Sequence, residues 1–284
     1  MRVLAAVPHY FDPQGGGRHA SLRPDAAPRV RGLTACIEGL HAHLGRKQVA
    51  YDIANRTAHA ANQIDAADLD VIVCTTKGRH LLGALTLPDG LYRHHATDAE
   101  PMLLGFECRD VLRAHLGDYD WYCFVEDDLV VGDPLLLRKI AWFSSLAGDD
   151  HLLLPNRFEI SAHGVAHKAY IDGTLPPRVT APWRDMTSLP PLEGKVLGRP
   201  VRFLPGLNPH AACWFLTAAQ MQRWAAEPWF ADRDTSFVGP LESGCTLGIL
   251  REFKIYKPAP ESASFLEIRH WGDDFLSLLR APTA

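Results

Sequence analysis

Trp121-Tyr122-Cys123-Phe124-Val125 is followed at once by Glu126-Asp127-Asp128, and this stretch decides the fold. An unbroken apolar and aromatic run is typical of a central strand that is covered on both faces. Neighbouring carboxylates repel one another and lose solvation where they are partly buried, and a divalent cation would relieve both costs. Because open α/β sheets bind ligands at the carboxyl ends of their strands, we expect Glu126, Asp127 and Asp128 to form a functional site.

Strands and helices alternate on both sides of this stretch. The apolar pattern predicts helices over 28–44, 102–116, 134–145, 217–226 and 241–250, and strands over 3–7, 49–54, 70–75, 151–154, 201–204, 211–216 and 253–256. This order indicates an α/β fold with a mixed, mostly parallel central sheet flanked by helices. Prolines accumulate over 156–200 without periodicity, which predicts a long irregular loop. No repeat or linker divides the chain, so we expect a single domain over 1–284.

Composition limits the classes of protein to which the chain can belong. Its 284 residues are 47% hydrophobic and 22% charged with a formal net charge of -4, which is typical of a globular protein without a broad basic surface for nucleic acid. No run approaches roughly 18 apolar residues, so no membrane span is expected. The six cysteines form no CxxC pair, which favours buried free thiols in a reducing compartment. The first residues lack a signal-peptide core, so we expect a cytoplasmic protein.

The segment Phe124-Val125-Glu126-Asp127-Asp128-Leu129 resembles the DxD-type signature of GT-A glycosyltransferases. It is especially similar to the Glu-Asp-Asp version of N-acetylglucosaminyltransferase I and its relatives. The resemblance implies a GT-A, Rossmann-like fold in which 1–133 forms the nucleotide-sugar donor half and 134–284 the acceptor and catalytic half. It also implies that Asp128 ligates the metal, that Glu126 lies near the donor ribose or sugar, and that Asp127 supports either role.

A histidine near the end of the chain is a second candidate metal ligand. His270 lies in the segment Ile268-Arg269-His270-Trp271-Gly272-Asp273-Asp274, and several GT-A enzymes return a histidine from a late segment to the metal. The resemblance therefore implies that His270 joins Asp128. An imidazole beside carboxylates fits Mn²⁺ better than Ca²⁺, with Mg²⁺ as the alternative.

A glutamate at the start of a predicted helix is the candidate catalytic base. The turn Gly239-Pro240 delivers Glu242 to the first turn of that helix, where the helix dipole stabilises an ionised carboxylate. An ionised carboxylate can take the proton from an acceptor hydroxyl. The segment is similar to the late acidic segment of inverting GT-A enzymes, although those enzymes often carry an acid pair where this chain has Glu242 followed by Ser243.

The donor also needs contacts to its nucleoside and its diphosphate. The loop 8–17 follows the first predicted strand, where GT-A proteins hold the nucleotide, and the resemblance places Pro8, His9 and Tyr10 there. Glycines in the loop permit a close backbone approach but form neither GxGxxG nor a Walker loop. Arg109, on the predicted helix before the acidic strand, is a candidate diphosphate contact, with Arg113 on the same helix and Lys77 and Arg79 after the third strand as the alternatives.

These features favour an enzyme that moves a sugar from a nucleotide-diphospho-sugar to an acceptor hydroxyl with the help of Mn²⁺ or Mg²⁺. The sugar would be of the hexosyl or N-acetylhexosaminyl type, and the acceptor a carbohydrate, a lipid-linked molecule or a small molecule. Direct displacement with Glu242 as the base would invert the anomeric centre. A retaining glycosyltransferase, a sugar nucleotidyltransferase and a non-catalytic sugar- or metal-binding module are the alternatives.

Overall fold

The computed structural model describes residues 1–16, 19–162 and 165–279. In chain order the strands are β1 (Arg2–Pro8), β2 (Val49–Asp52), β3 (Thr57–Ala60), β4 (Asp68–Thr76), β5 (Arg93–Thr97), β6 (Trp121–Val125), β7 (Leu129–Val130), β8 (His151–Leu153), β9 (Asn156–Ile160), β10 (Lys168–Tyr170), β11 (Leu192–Val196), β12 (Arg199–Pro205), β13 (Cys213–Thr217), β14 (Lys254–Pro258) and β15 (Glu267–His270). The α-helices are α1 (Ala27–Leu44), α2 (Leu104–Ala114), α3 (Leu136–Ala147), α4 (Ala218–Ala225), α5 (Pro240–Glu242) and α6 (Gly248–Glu252). A π-helical turn, Ser243–Leu247, joins α5 to α6.

A five-stranded sheet in the order β13-β6-β1-β4-β5 forms the centre of the molecule. All neighbouring pairs in it are parallel except β13 with β6, so the predicted mixed, mostly parallel sheet is confirmed. The apolar runs of β1 and β6 are buried, as expected for strands covered on both faces. Because Ala6 pairs with Phe124, the carboxyl ends of β1 and β6 lie side by side. The loop after β1 and the acidic turn after β6 therefore meet at one edge of the sheet.

A second sheet, in the order β10-β9-β15-β7, brings the end of the described chain back to the acidic turn. β15 runs antiparallel to β7, with His270 opposite Leu129. The Trp271 N–H donates a hydrogen bond of 2.7 Å to the Asp128 carbonyl oxygen. This pairing is what carries His270 to the carboxyl end of β6. A third sheet has the strand order β11-β12-β14-β8.

Helix α1 packs closely against the segment after the acidic turn through two glycines. A Cβ on Gly39 would lie 2.8 Å from the Val131 carbonyl oxygen, and a Cβ on Gly32 would lie 3.3 Å from Cδ1 of Trp271. Side chains at these positions would push the helix away from the turn. The glycines therefore hold the first turn of α1 close to Asp127 and Asp128.

Several segments differ from the prediction, which did not include β3, β5, β7 or β15. The strand expected over 49–54 is β2, which forms an exposed hairpin with β3 and takes no place in the central sheet. The Asp52 carboxylate accepts hydrogen bonds from the Ala54 and Asn55 N–H groups and so closes a tight turn, which returns the chain antiparallel to itself. β5 forms the edge of the central sheet next to β4. Its exposed sequence Arg-His-His-Ala-Thr contains no apolar run from which a strand could be predicted.

The predicted long loop over 156–200 is also partly wrong, because it contains β9, β10 and β11. β9 lies inside the second sheet between β10 and β15, while β11 is an edge strand of the third. Strands this short show too little alternation to be recognised next to so many prolines. Residues 163–164 of this predicted loop, and Gly17 of the predicted loop 8–17, lie outside the described residues.

All six cysteines are buried and free, as predicted. Among the helices of the described chain, none has the length and the apolar character that a membrane crossing requires.

The close approach of α1 can be tested at Gly39. Alanine normally favours a helix over glycine by about 1 kcal/mol, but here its Cβ would meet the Val131 carbonyl oxygen. We expect Gly39→Ala to lower the free energy of unfolding by about 1–3 kcal/mol in urea titrations. Gly132→Ala is the control, because no atom lies within 4 Å of the added Cβ. A Gly39→Ala protein as stable as the wild type would contradict the packing argument.

Candidate active site

A cavity of about 170 Å³ opens where the carboxyl ends of β1 and β6 meet. Its walls come from the end of β1, the 19–21 turn, the start of α1, the start of α2 and the start of α5. The lining residues are Pro8, Tyr10, His19, Ala20, Ser21, Arg29, Pro101, Leu104, Gly105, Phe124, Glu126, Asp127, Asp128 and Leu241. The predicted acidic cluster thus faces a cavity at the edge of the sheet where α/β proteins bind ligands.

Asp127 has both carboxylate oxygens occupied by protein groups. Arg29 donates to both oxygens, and His9 Nδ1 lies 2.5 Å from Oδ2. The Leu81 N–H donates to His9 Nε2 at 3.0 Å, so the proton of the imidazole is on Nδ1 and points to Asp127. Burial alone would raise the pKa of Asp127, but Arg29 and His9 lower it below its ordinary value. Asp127 is therefore an ionised structural carboxylate, and His9 lies behind the cavity rather than in it.

Arg29, in the first turn of α1, is the cation that compensates the acidic turn. Its Nη1 donates to Asp128 Oδ2 at 2.9 Å, and only 11% of its side chain is exposed. Burial alone would lower the pKa of Arg29, but Asp127 and Asp128 raise it above its ordinary value. The sequence analysis missed Arg29. One signal was present, since a cation in the first turn opposes the helix dipole and needs a carboxylate partner to be tolerated.

Asp128 keeps one oxygen that has no partner among the described residues. This atom, Oδ1, is buried, while Oδ2 lies 3.8 Å from His270 Nε2. This separation is longer than a hydrogen bond and shorter than two usual metal–ligand distances of about 2.1 Å. The other ring nitrogen, His270 Nδ1, lies 2.8 Å from Glu159 Oε1. The structure thus brings the two predicted metal ligands together.

The donor set fits a divalent cation that receives further ligands from a bound substrate. Among the described residues, no group of three or more His, Cys, Asp or Glu side chains is placed to hold a metal ion. Asp128 and His270 would therefore supply one carboxylate oxygen and one imidazole nitrogen, and phosphate oxygens and water would supply the rest. The buried, unpartnered Oδ1 of Asp128 is the observation that favours such a cation.

Glu126 differs from its two acidic neighbours because no cation in the described part of the chain lies in hydrogen-bond contact with it. Burial and the Asp128 carboxylate raise the pKa of Glu126 well above its ordinary value, and Glu242 adds to the rise. Arg157 is the positive charge that opposes this rise in the pKa of Glu126. A protonated Glu126 can donate a hydrogen bond into the cavity that it lines.

A buried charge cluster lies within electrostatic reach of Glu126. Arg157 and Lys257 donate to Asp172 at 2.8 Å and 2.7 Å. Burial alone would raise the pKa of Asp172, but Lys257 and Arg157 lower it to about 2. With two cations on one carboxylate, the cluster adds positive potential next to Glu126. The sequence pattern gave no signal for this cluster, because Arg157, Asp172 and Lys257 come from two strands and a loop that are far apart in the sequence.

Glu242 lies where the prediction put it, in the first turn of a helix that borders the cavity. The neighbouring Leu241 lines the cavity, and within the described part of the chain no hydrogen bond or ion pair occupies the Glu242 carboxylate. Ser243 follows Glu242 directly in the chain. Its hydroxyl accepts from the Phe237 N–H at 3.1 Å and donates to the Phe237 carbonyl at 2.9 Å, so it ties down the loop before the helix.

Arg109 does not reach the cavity. It is only 4% exposed, and its guanidinium donates to the carbonyl oxygens of Phe230 and Asp232. It also lies over the Phe106 ring at 4.7 Å. A buried guanidinium needs fixed acceptors, and the turn over Pro228–Ala231 with the residue after it provides them. The structure therefore gives no support to the predicted diphosphate contact at Arg109, and among the described arginines Arg29 lines the cavity.

Comparisons with known proteins give little beyond the geometry. No protein-family model matches the chain, and no curated protein matches it. Among solved structures it is similar to S. aureus TarS, residues 1–349, with a TM-score of 0.44 and 10% sequence identity. The match covers 97% of this chain and 62% of that one, so the chain spans less than two thirds of the TarS structure. The functional argument rests on the residues of the site.

The dependence of the acidic turn on Arg29 can be tested by unfolding. Arg29→Gln leaves the buried Asp127 carboxylate without its cation, so we expect a loss of about 3–5 kcal/mol in the free energy of unfolding. Adding Asp127→Asn to that variant should restore part of the loss, because it removes the uncompensated charge. Arg31→Gln, at an exposed position of the same helix, should change stability by no more than about 0.5 kcal/mol. Equal effects at Arg29 and Arg31 would contradict the assignment.

Proposed function

We propose that the protein is a metal-dependent glycosyltransferase of the GT-A type, which moves a sugar from a nucleotide-diphosphate donor to an acceptor hydroxyl. One observation carries the proposal. The pairing of β15 with β7 places His270 Nε2 3.8 Å from Asp128, whose Oδ1 is buried without a partner at the mouth of a cavity. An acidic residue and an imidazole so placed can share a cation with a phosphate ligand.

Asp128 and His270 would hold Mn²⁺ or Mg²⁺, and the metal would neutralise the charge that develops on the departing nucleotide diphosphate. Arg29 supplies a fixed positive charge in the same cavity and is held by Asp127 and Asp128. Arg29 compensates only part of the negative charge of the two aspartates. The remaining charge, together with Asp128 Oδ1 and His270 Nε2 as ligand atoms, suits a cation that arrives with the donor diphosphate.

The donor would lie along the cavity with its nucleoside against Pro8 and Tyr10, which line the wall after β1. Glu126 lies between this wall and Glu242, and in its protonated form it would donate a hydrogen bond to the sugar or the ribose. The donor sugar would be of the hexosyl or N-acetylhexosaminyl type. The acceptor would be a carbohydrate, a lipid-linked molecule or a small molecule that enters from the side of Glu242.

Glu242 would act as the general base. Its carboxylate takes the proton of the acceptor hydroxyl while the acceptor oxygen bonds to the anomeric carbon and the bond from that carbon to the diphosphate oxygen breaks. The electron pair of the broken bond leaves with the nucleotide diphosphate. Attack from the face opposite the leaving group inverts the anomeric centre.

The binding step is tested with Asp128→Asn, which keeps the size of the side chain but removes its charge. Calorimetry with a panel of nucleoside diphosphates in the presence of Mn²⁺ should show metal-dependent binding to the wild type and none to the variant. Asp118→Asn, at an exposed aspartate away from the cavity, is the control and should bind as the wild type does. Unchanged metal-dependent affinity in Asp128→Asn would remove Asp128 from the site.

The catalytic step is tested with Glu242→Gln and the product anomer together. Glutamine keeps the shape but cannot accept the proton, so donor binding should stay near the wild-type value while transfer falls by about 10²–10⁴-fold. Glu38→Gln, at an exposed position of α1, should transfer at the wild-type rate. NMR of the product should give the anomer opposite to that of the donor. A retained anomer, or near wild-type transfer by Glu242→Gln, would end the role of Glu242 as the base.

A further inference from the structure

Glu159 is a fully buried acid that the reaction scheme above does not use. It lies in β9 with 0% of its surface exposed, and each of its two oxygens has a partner. Oε1 lies 2.8 Å from His270 Nδ1, and Oε2 accepts from the Leu276 N–H at 2.6 Å. A carboxylate that has left water completely is kept only where such partners replace its hydration.

Three adjacent strands bring Glu159, His270 and the acidic turn into one row. β9 pairs in parallel with β15, with Phe158 opposite Arg269, so Glu159 comes next to His270. β15 pairs with β7, where His270 lies opposite Leu129. The backbone register of the second sheet therefore places Glu159 beside His270, and Asp128 comes one residue before the Leu129 that lies opposite His270.

The contact with Glu159 decides which nitrogen of His270 faces the cavity. A carboxylate only accepts hydrogen bonds, so the proton of the contact is on His270 Nδ1, and Nε2 points toward Asp128 Oδ2 at 3.8 Å. The Phe275 ring packs edge-on against the imidazole, with 5.5 Å between the ring centres, and limits its rotation. An imidazole held in this way by a carboxylate is oriented and made more basic as a metal ligand.

We propose that Glu159 is a positioning residue of the metal site, which holds His270 in the tautomer and orientation that let Nε2 bind a cation together with Asp128. The inference rests on the proposed function, since it presupposes that His270 and Asp128 bind a metal. The same carboxylate anchors the Leu276 backbone, and the residue before Leu276 is the Phe275 that packs on His270. Glu159 thus sets both the hydrogen bond and the packing that fix the imidazole.

A purely structural role for Glu159, as the anchor of the turn at Leu276, predicts different behaviour, and metal spectroscopy separates the two. In the wild type with Mn²⁺ and a nucleoside diphosphate, pulsed electron paramagnetic resonance should show ¹⁴N coupling from the His270 imidazole. Glu159→Gln should weaken Mn²⁺ affinity by about 10–100-fold and reduce that coupling, as His270→Ala does. Glu267→Gln is the matched control on β15, since Glu267 contacts Lys168 and Tyr170 instead, and should change neither.

A double variant tests whether Glu159 acts through His270. In the His270→Ala background, Glu159→Gln should cause no further loss of Mn²⁺ affinity, because the side chain that it positions is already gone. If Glu159→Gln does not fold, Glu159→Asp, which keeps the charge but shortens the reach, should give an intermediate coupling. A full ¹⁴N coupling and unchanged affinity in a folded Glu159 variant would overturn the positioning role while leaving the metal site in place. Absence of metal-dependent binding in the wild type would instead overturn the proposed function itself.

Discussion

The ion pair of Arg29 with Asp127 and Asp128 is the interaction on which the site depends. Two adjacent carboxylates at the end of a buried strand repel each other and lose solvation, so they stay ionised only if a cation meets them at contact distance. That cation comes from the first turn of α1, and α1 can lie so close because Gly32 and Gly39 present no side chain to the segment after β6. The glycines, the helix and the acidic turn are therefore parts of one electrostatic arrangement.

Three consecutive acids acquire three different roles from their surroundings. Asp127 is saturated by Arg29 and His9 and serves the structure. Asp128 shares Arg29 but keeps a buried oxygen free, which suits it to a cation. Burial and the Asp128 carboxylate raise the pKa of Glu126, which favours its protonated form. Surroundings that separate the pKa values of neighbouring carboxyl groups allow one cluster to contain both a charged carboxylate and a proton donor.

The sequence predicted the helices and strands that leave a local pattern. It did not predict the side-chain contacts that depend on how distant strands pair in the fold. The apolar run of β6 and the helical spacing of α1 were sufficient because burial on a regular element leaves a periodic trace. The prediction that His270 lies close to Asp128 came from a resemblance to known enzymes. The pairing of β15 with β7 is the physical cause of this proximity in the structure. The sequence could not show where Arg109 points, because a cation on an amphipathic helix looks the same whether it faces a ligand or a set of carbonyl oxygens. The contact of Glu159 with His270 could not be predicted, because a single acid inside a short strand forms no recognisable sequence pattern.

The acceptor side of the cavity follows the same electrostatic logic with different residues. Glu242 and Glu126 are within electrostatic reach of each other, and Glu242 contributes to the raised pKa of Glu126. Because the pKa of Glu126 is raised, its carboxyl group adds less negative charge next to Glu242 than an ordinary glutamate would. The next residue, Ser243, adds no charge beside Glu242. Its hydroxyl forms hydrogen bonds with the backbone of Phe237. A second acid at that position would repel the Glu242 carboxylate, whereas a serine does not.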